Sequence, residues 1–259
     1  MRYLVFVLLL ILPGCYFFDS PIEVPGEAPV ERPEFAITIT FDDGWESVFT
    51  LAYPILQSRN LPANVGLITG TFRGNFEGYL KKYQIALLSD AGWTMLSHSV
   101  THPDLTTLDQ EALLQELRES REHIKQRGWT FADVFLIPYL SFDDEVMRAV
   151  RSEYFMARCC AIANIHGHEL AFMDSLPQFN IAGVDVDWHP YHFREAAGRE
   201  NLRYLLEVAK GEGRFVDIVF HNVFYEDMEA FAETVDILAE YRDYIVTYSE
   251  LEEIVRATY

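Results

Sequence analysis

From residue 35 onward, short apolar runs rich in β-branched and aromatic residues alternate with longer stretches in which apolar residues recur every three or four positions. The first pattern predicts buried strands and the second predicts amphipathic helices. Strands are expected over 35–41 (FAITITF), 62–69, 93–99, 133–139, 155–162, 179–186 and 215–220, with a last one at YIVTYS, 244–249. Helices are expected over 46–58, 79–90, from Thr107 or Asp109 to Arg127, and over 142–151, 195–210 and 227–241, with a short closing helix in SELEEIVRA. Pro54 interrupts the first helix, Gly92 and Gly128 stop the second and third, and the glycine-rich GTFRGNFEG, 70–78, reads as a loop. Strand followed by helix, repeated to the end of the chain, predicts a parallel α/β sheet, open or closed into a barrel. No Pro- or Gly-rich linker divides residues 35–259, so one domain is expected there.

In such folds chemistry collects at the carboxyl ends of the strands. Those ends carry Asp42 and Asp43, then His98, then Pro138 and Tyr139, then Asp185 and Asp187, then His221. Two adjacent carboxylates either repel each other into solvent or share a cation. Asp-Asp-Gly taken singly is an ordinary acidic turn, and its position at the end of an apolar strand is what changes that reading. His98 and His102 are four apart, with Pro103 favouring a tight loop at His102. With one carboxylate they make a three-ligand set that leaves a position open for water, which suits zinc or a similar divalent metal.

Charge narrows the partners. Forty acidic residues against 20 Lys and Arg give a net charge of −20, which argues against nucleic-acid backbones and anionic surfaces and suits a neutral or cationic polymer. The front of the chain, MRYLVFVLLLILPGC, has the charge and apolar pattern of a secretion signal and is too short for a comfortable membrane span. Leu12 to Gly14 ahead of Cys15 resemble the lipobox of bacterial lipoproteins. That likeness implies lipid attachment at Cys15, secretion across the cytoplasmic membrane, and anchoring to it or to the outer membrane. Residues 16–34, with Pro21, Pro25, Pro29 and Pro33, read as an extended tether reaching up to about 60 Å. Cys159 and Cys160 are expected to be two buried thiols, since bridging adjacent cysteines strains the backbone. His166, His168, His189 and His192 read as surface loop residues rather than a second metal site.

TFDDG (40–44), SHSVTHP (97–103), Pro138-Tyr139, IVFH (218–221) and the closing VTYSELEEIV (246–255) resemble, in order and spacing, the motifs of the polysaccharide deacetylases, the NodB-homology domain of carbohydrate esterase family 4. The resemblance covers about residues 34–259. It implies a distorted (β/α) barrel with about seven parallel strands and one divalent metal, zinc or alternatively cobalt, nickel or iron, held by Asp43, His98 and His102. Asp42 is then the general base and His221 the acid that protonates the departing amine. Pro138, Tyr139 and Trp188 contact substrate, and the backbone N–H of Tyr139 serves the oxyanion. The implied partner is an N-acetylated glycan, acted on by a monomer. The chain departs from the family where an arginine that orients the base is expected and Leu136 stands, and where Leu140 replaces a glycine after the tyrosine. Those departures leave a second reading, a catalytically weakened glycan-binding lipoprotein of the same fold. Asp187 and Trp188 are candidates for the family's fourth motif, with an ill-fitting DVDW spacing.

Overall fold

The computed structural model describes residues 33–161, 170–179, 181–187 and 191–257. The expected signal, tether and Cys15, as well as Trp188, His166, His168 and His189, lie outside the described residues. Seven parallel strands close into a barrel in chain order: β1 (Ala36–Phe41), β2 (Asn64–Leu67), β3 (Thr94–Ser97), β4 (Phe131–Leu136), β5 (Met156–Ala161), β6 (Ile181–Asp185) and β7 (Phe215–Phe220). Closure is made by β1 against β7, whose six residues pair one to one from Ala36 with Phe215 to Phe41 with Phe220. The helices are α1 (Tyr53–Ser58), α2 (Thr69–Gly74), α3 (Lys82–Asp90), α4 (Gln110–Lys125), α5 (Asp144–Glu153), α6 (Ala196–Glu212), α7 (Met228–Ala239) and α8 (Tyr248–Arg256). This is the distorted (β/α) barrel that the motifs imply. Among the described residues no helix is long and apolar enough to cross a membrane.

The alternation in FAITITF becomes a division between two buried environments. Ile37, Ile39 and Phe41 belong to the main apolar core, where Phe41 stacks between Trp93 and Phe220 at 5.7 and 5.3 Å. Thr38 and Thr40, on the opposite face, are equally buried, and both hydroxyls donate to Asp217 Oδ1 of β7, at 2.7 and 2.6 Å. The polar face of β1 therefore looks into the barrel and not into water. A buried hydroxyl needs a partner, and the neighbouring strand supplies one.

Helix boundaries follow local chemistry. Asp109, not Thr107, caps α4, its carboxylate accepting from the N–H of Ala112 at 2.8 Å. Pro54 sits in the first turn of α1, where its missing N–H costs nothing, after a π-helical turn, Val48–Ala52. Two expectations are corrected. The stretch 70–78 is not all loop, because α2 occupies Thr69–Gly74; a Cβ on Gly70 would come within 2.6 Å of the Val100 carbonyl oxygen, so this glycine serves a close approach between segments. The last strand shrinks to a single bridge, Ile245 with Ile37. Thr247 and Glu250 cap α8 reciprocally, so the backbone turns helical where strand pairing would continue.

Candidate active site

The carboxyl ends of the strands open into a cavity of about 380 Å³, lined by Asp42, Asp43, His98, His102, Tyr139, Arg158, Asp185 and His221 among others. Asp43 Oδ1 lies 3.5 Å from both His98 Nε2 and His102 Nε2, and the two imidazole nitrogens are 3.0 Å apart. These three ligand atoms converge on one point as a cation site requires. Each is also fixed from behind. His98 Nδ1 meets the Leu136 carbonyl oxygen at 2.8 Å; donating there puts the proton on Nδ1 and leaves Nε2 as a lone-pair donor toward the cavity. The indole N–H of Trp45 donates to Asp43 Oδ2 at 3.0 Å, reserving Oδ1 for the cavity. His102 is held through its backbone N–H, which donates to Ser99 Oγ at 2.9 Å. Glu116 of α4 accepts from the N–H groups of Val100 and Thr101 and so clamps the loop that carries His102.

The donor set fits a divalent metal. Burial, with the neighbouring His98 adding to it, lowers His102 to about 4, so the imidazole is in its neutral, ligating form near pH 7. Burial alone would raise Asp43, but the hydrogen bond and charge of His98, with His221 and His102, hold its carboxyl well below the usual range. One carboxylate and two imidazoles is the set expected for zinc with an open position.

Asp42 stands beside this triad and is almost completely buried. Burial alone would raise it, yet the Arg158 guanidinium, with His98 and His221, holds it below the ordinary carboxylate value. Arg158 pairs with Asp42 Oδ2, while Asp42 Oδ1 has no hydrogen-bond partner in the protein. On the far side His221 Nδ1 lies 3.0 Å from Asp187 Oδ2, which also accepts from the His221 N–H at 2.9 Å. Burial opposes the charged imidazole, but Asp187 and the fields of Asp42 and Asp185 raise it to about 9. Asp185, Asp187 and His221 form a second convergent group, in which His221 Nδ1 is hydrogen-bonded to Asp187. Replacing Asp187 with asparagine is expected to bring the His221 titration, followed by imidazole NMR, from about 9 down toward 6.5. The sign for stability follows: the His221 to Asp187 pairing contributes fully below about pH 6.5 and is lost as pH rises through about 9.

Backbone conformation sets this mouth apart. Asp43, Ser99, His102, Tyr139 and Leu140 all have positive φ, between 55° and 71°, a left-handed region that L-residues avoid at a cost of about 1–3 kcal/mol each. Leu140 thus holds the conformation that a glycine adopts freely. Tyr139 is exposed, and its ring lies 4.5 Å from that of His102. A second cavity of about 510 Å³ shares Asp43, His102 and Tyr139 with the first and runs over Trp45, Tyr79 and Phe76, so the two form one trench. Trp45 and Tyr79 stack at 4.5 Å along it.

Asp42, Asp43, His98, His102, Tyr139 and His221 are thus brought together. Pro138, expected among the substrate contacts, is buried and is not among the residues lining the two cavities; it opens the turn that presents Tyr139. The two expected thiols are corrected as well: Cys159 and Cys160 are joined to each other, beside a register irregularity of β5 on β6, and Cys160 faces the cavity. Arg158 was not anticipated. Its signal was a single charged residue inside the apolar run FMARCCAI, the kind of interior charge that demands a partner.

Comparison with known proteins agrees with this fold. The polysaccharide deacetylase family model matches residues 30–155, which include Asp42, Asp43, His98, His102 and Tyr139 but not His221. YxkH of Bacillus subtilis, which carries a polysaccharide deacetylase name, is 24% identical over 116 residues, 45% of this chain and 41% of that protein. The chain therefore matches about two fifths of that curated relative's length. The peptidoglycan deacetylase PdaC from Bacillus subtilis, solved as a mutant, superposes with a TM-score of 0.57 at 18% identity, covering 89% of this chain and 94% of that one. A family 4 carbohydrate esterase from Streptomyces lividans, solved with acetate, gives 0.56 at 18% identity over 82% and 91%. At such identities these structures show the shared fold. The chain is therefore similar to the polysaccharide deacetylase family over residues 30–155, which its model matches, and shares the barrel fold of these solved deacetylase and esterase structures.

Proposed function

We propose that this protein is a metal-dependent hydrolase that removes N-acetyl groups from an N-acetylglucosamine-containing polysaccharide outside the cytoplasm. One observation carries the reading: the Asp43, His98 and His102 triad lies in a single cavity with an ionised carboxylate, Asp42, and with a protonated imidazole, His221. Zinc suits the triad best, with cobalt, nickel or iron as alternatives, and such a cation supplies polarisation of the acyl carbonyl and a lowered pKa of water. Asp42 Oδ1 is the oxygen available to take the proton of the attacking water, because Oδ2 is engaged by Arg158. As the amide C–N bond breaks, His221 delivers its proton from Nε2 to the departing nitrogen, leaving acetate and an amino sugar. The backbone N–H of Tyr139, presented by the strained turn, is assigned to the charge developing on the carbonyl oxygen.

The trench suits a polymer. Stacked Trp45 and Tyr79 offer a flat apolar floor for a sugar ring beside the reacting unit, and the net charge of −20 tolerates a neutral glycan and its cationic product. The leader, Cys15 and the proline-rich tether support export and lipid anchoring of a monomeric domain. The weakened, glycan-binding reading rests on Leu136 and Leu140, and the Arg158 contact to Asp42 favours turnover over binding alone. Zinc-loaded protein is expected to release acetate from at least one member of a panel of acetylated chito-oligosaccharides, peptidoglycan fragments and exopolysaccharides. Tight glycan binding without acetate from any member would replace the deacetylase reading by the binding one.

A further inference from the structure

Two positions on neighbouring strands converge on Asp42, and the charged one is not where the motif would put it. Leu136 of β4 and Arg158 of β5 are register partners, and partners on parallel strands present their side chains to the same side of the sheet. Both reach the same neighbourhood. Arg158 Nη2 donates to Asp42 Oδ2, and a Cβ placed on Gly66 would meet Leu136 Cδ1 at 2.6 Å and Asp42 Oδ1 at 3.3 Å. We infer that Arg158 is the positioning residue for the base Asp42, acting from β5 where the family motif would place an arginine at 136, and that Asp217 and Gly183 hold Arg158 in that role. The inference rests on the deacetylase reading of the site.

Three features of the fold support it. Arg158 takes one oxygen of Asp42 and leaves the other, itself buried, without a hydrogen-bond partner in the protein, so the guanidinium decides which oxygen is left to accept a proton. Arg158 is itself anchored: Nη1 lies 3.5 Å from Asp217 Oδ2, and Asp217 also accepts from Thr38, Thr40 and the hydroxyl of Tyr248, the last at 3.1 Å. A buried carboxylate with that many donors cannot rotate without losing them, and it transmits this rigidity to the guanidinium. Finally, the chain makes room for the arginine stem. A Cβ on Gly183 would come within 2.7 Å of Val219 Cγ2 and 3.2 Å of Arg158 Cδ, so a glycine is what lets the side chain cross the barrel toward β1. A merely structural Arg158 would serve only to neutralise Asp217, and its site of attachment to the chain would not matter to turnover.

Steady-state kinetics, zinc content and circular dichroism on four variants separate these roles. Arg158→Leu is expected to lose about 10²-fold in kcat, the size of effect seen when a reacting group is mispositioned by about 1 Å, with KM changed less than about threefold and one zinc retained per chain. Arg158→Lys keeps a cation, and with it the fold, but lacks the planar fork; it should lose about tenfold in kcat. Gly183→Ala, which displaces the stem and leaves all charges in place, should also lower kcat with KM unchanged. The relocated pair Leu136→Arg with Arg158→Leu should regain at least about tenfold over Arg158→Leu, because the register partner reaches the same carboxylate. Wild-type kcat in folded Arg158→Lys or Arg158→Leu overturns the inference. So does a relocated pair that folds and binds zinc without gaining on Arg158→Leu; if Arg158→Leu does not fold, Arg158→Lys decides. Failure of the wild type itself to release acetate strikes the deacetylase reading instead.

Discussion

Asp43→Ala protein is expected to emerge from zinc loading and desalting with essentially no metal, where the wild type keeps one ion per chain, and to lose acetate release by a thousandfold or more, on the order of several kcal/mol of transition-state stabilisation. The size of the effect follows from how the site is built. His98 and His102 supply two ring nitrogens, and Asp43 is the one carboxylate of the three. Its Oδ1 is held at equal distance, 3.5 Å, from both imidazoles by the Trp45 hydrogen bond to Oδ2. The fold should survive, since the Asp43 side chain is partly exposed and sits at the rim of the barrel. Metal analysis by mass spectrometry alongside a thermal melt checks both parts. A variant that still holds one zinc per chain would remove Asp43 from the ligand set.

Asp42→Asn separates catalysis from metal binding. The amide has the shape of the carboxylate but cannot take a proton from water, so kcat should fall by about 10²–10⁴-fold, the range for loss of a general base. Zinc content should stay at one per chain, because the three ligands are untouched. The substitution also leaves Arg158 with only Asp217 as an anionic partner in the interior, which should lower stability, as removal of one member of a buried pair does. Acetate release at the wild-type rate in the asparagine protein would exclude Asp42 as the base.

Much of this site was legible in the chain because it lies at the ends of strands. FAITITF ends in Asp42 and Asp43, IVF in His221, and TMLS in His98, so reading where apolar runs stop locates the chemistry without any coordinates. What escaped the sequence lies inside the barrel. Arg158 and Asp217 sit in the middle of apolar runs 59 positions apart, and only the register of β5, β6 and β7 brings them face to face. Asp187 was a candidate by type, and the His221 N–H and Nδ1 that it serves became apparent only in the fold. The missing eighth strand had a local signal, the Thr-x-x-Glu of TYSE at 247–250, which competes with the β-branched YIVT before it. The cysteine pair shows the opposite case: neighbouring thiols whose Cα atoms are 3.8 Å apart are bridged where the strand pairing shifts register.

The pairing of β1 with β7 also bears on when the site comes into being. Asp42 sits on the first strand made, whereas its supports arrive late: Arg158 with the fifth strand, Asp217 with the seventh, and Tyr248 at the head of the last helix. Contacts of such sequence separation form only after most of the chain is available, because each must first overcome the entropy of closing a long loop. A growing chain therefore carries both carboxylates from the outset with nothing yet to orient the base. Catalytic competence therefore depends on the contacts that β7 and α8 make with the first half of the chain.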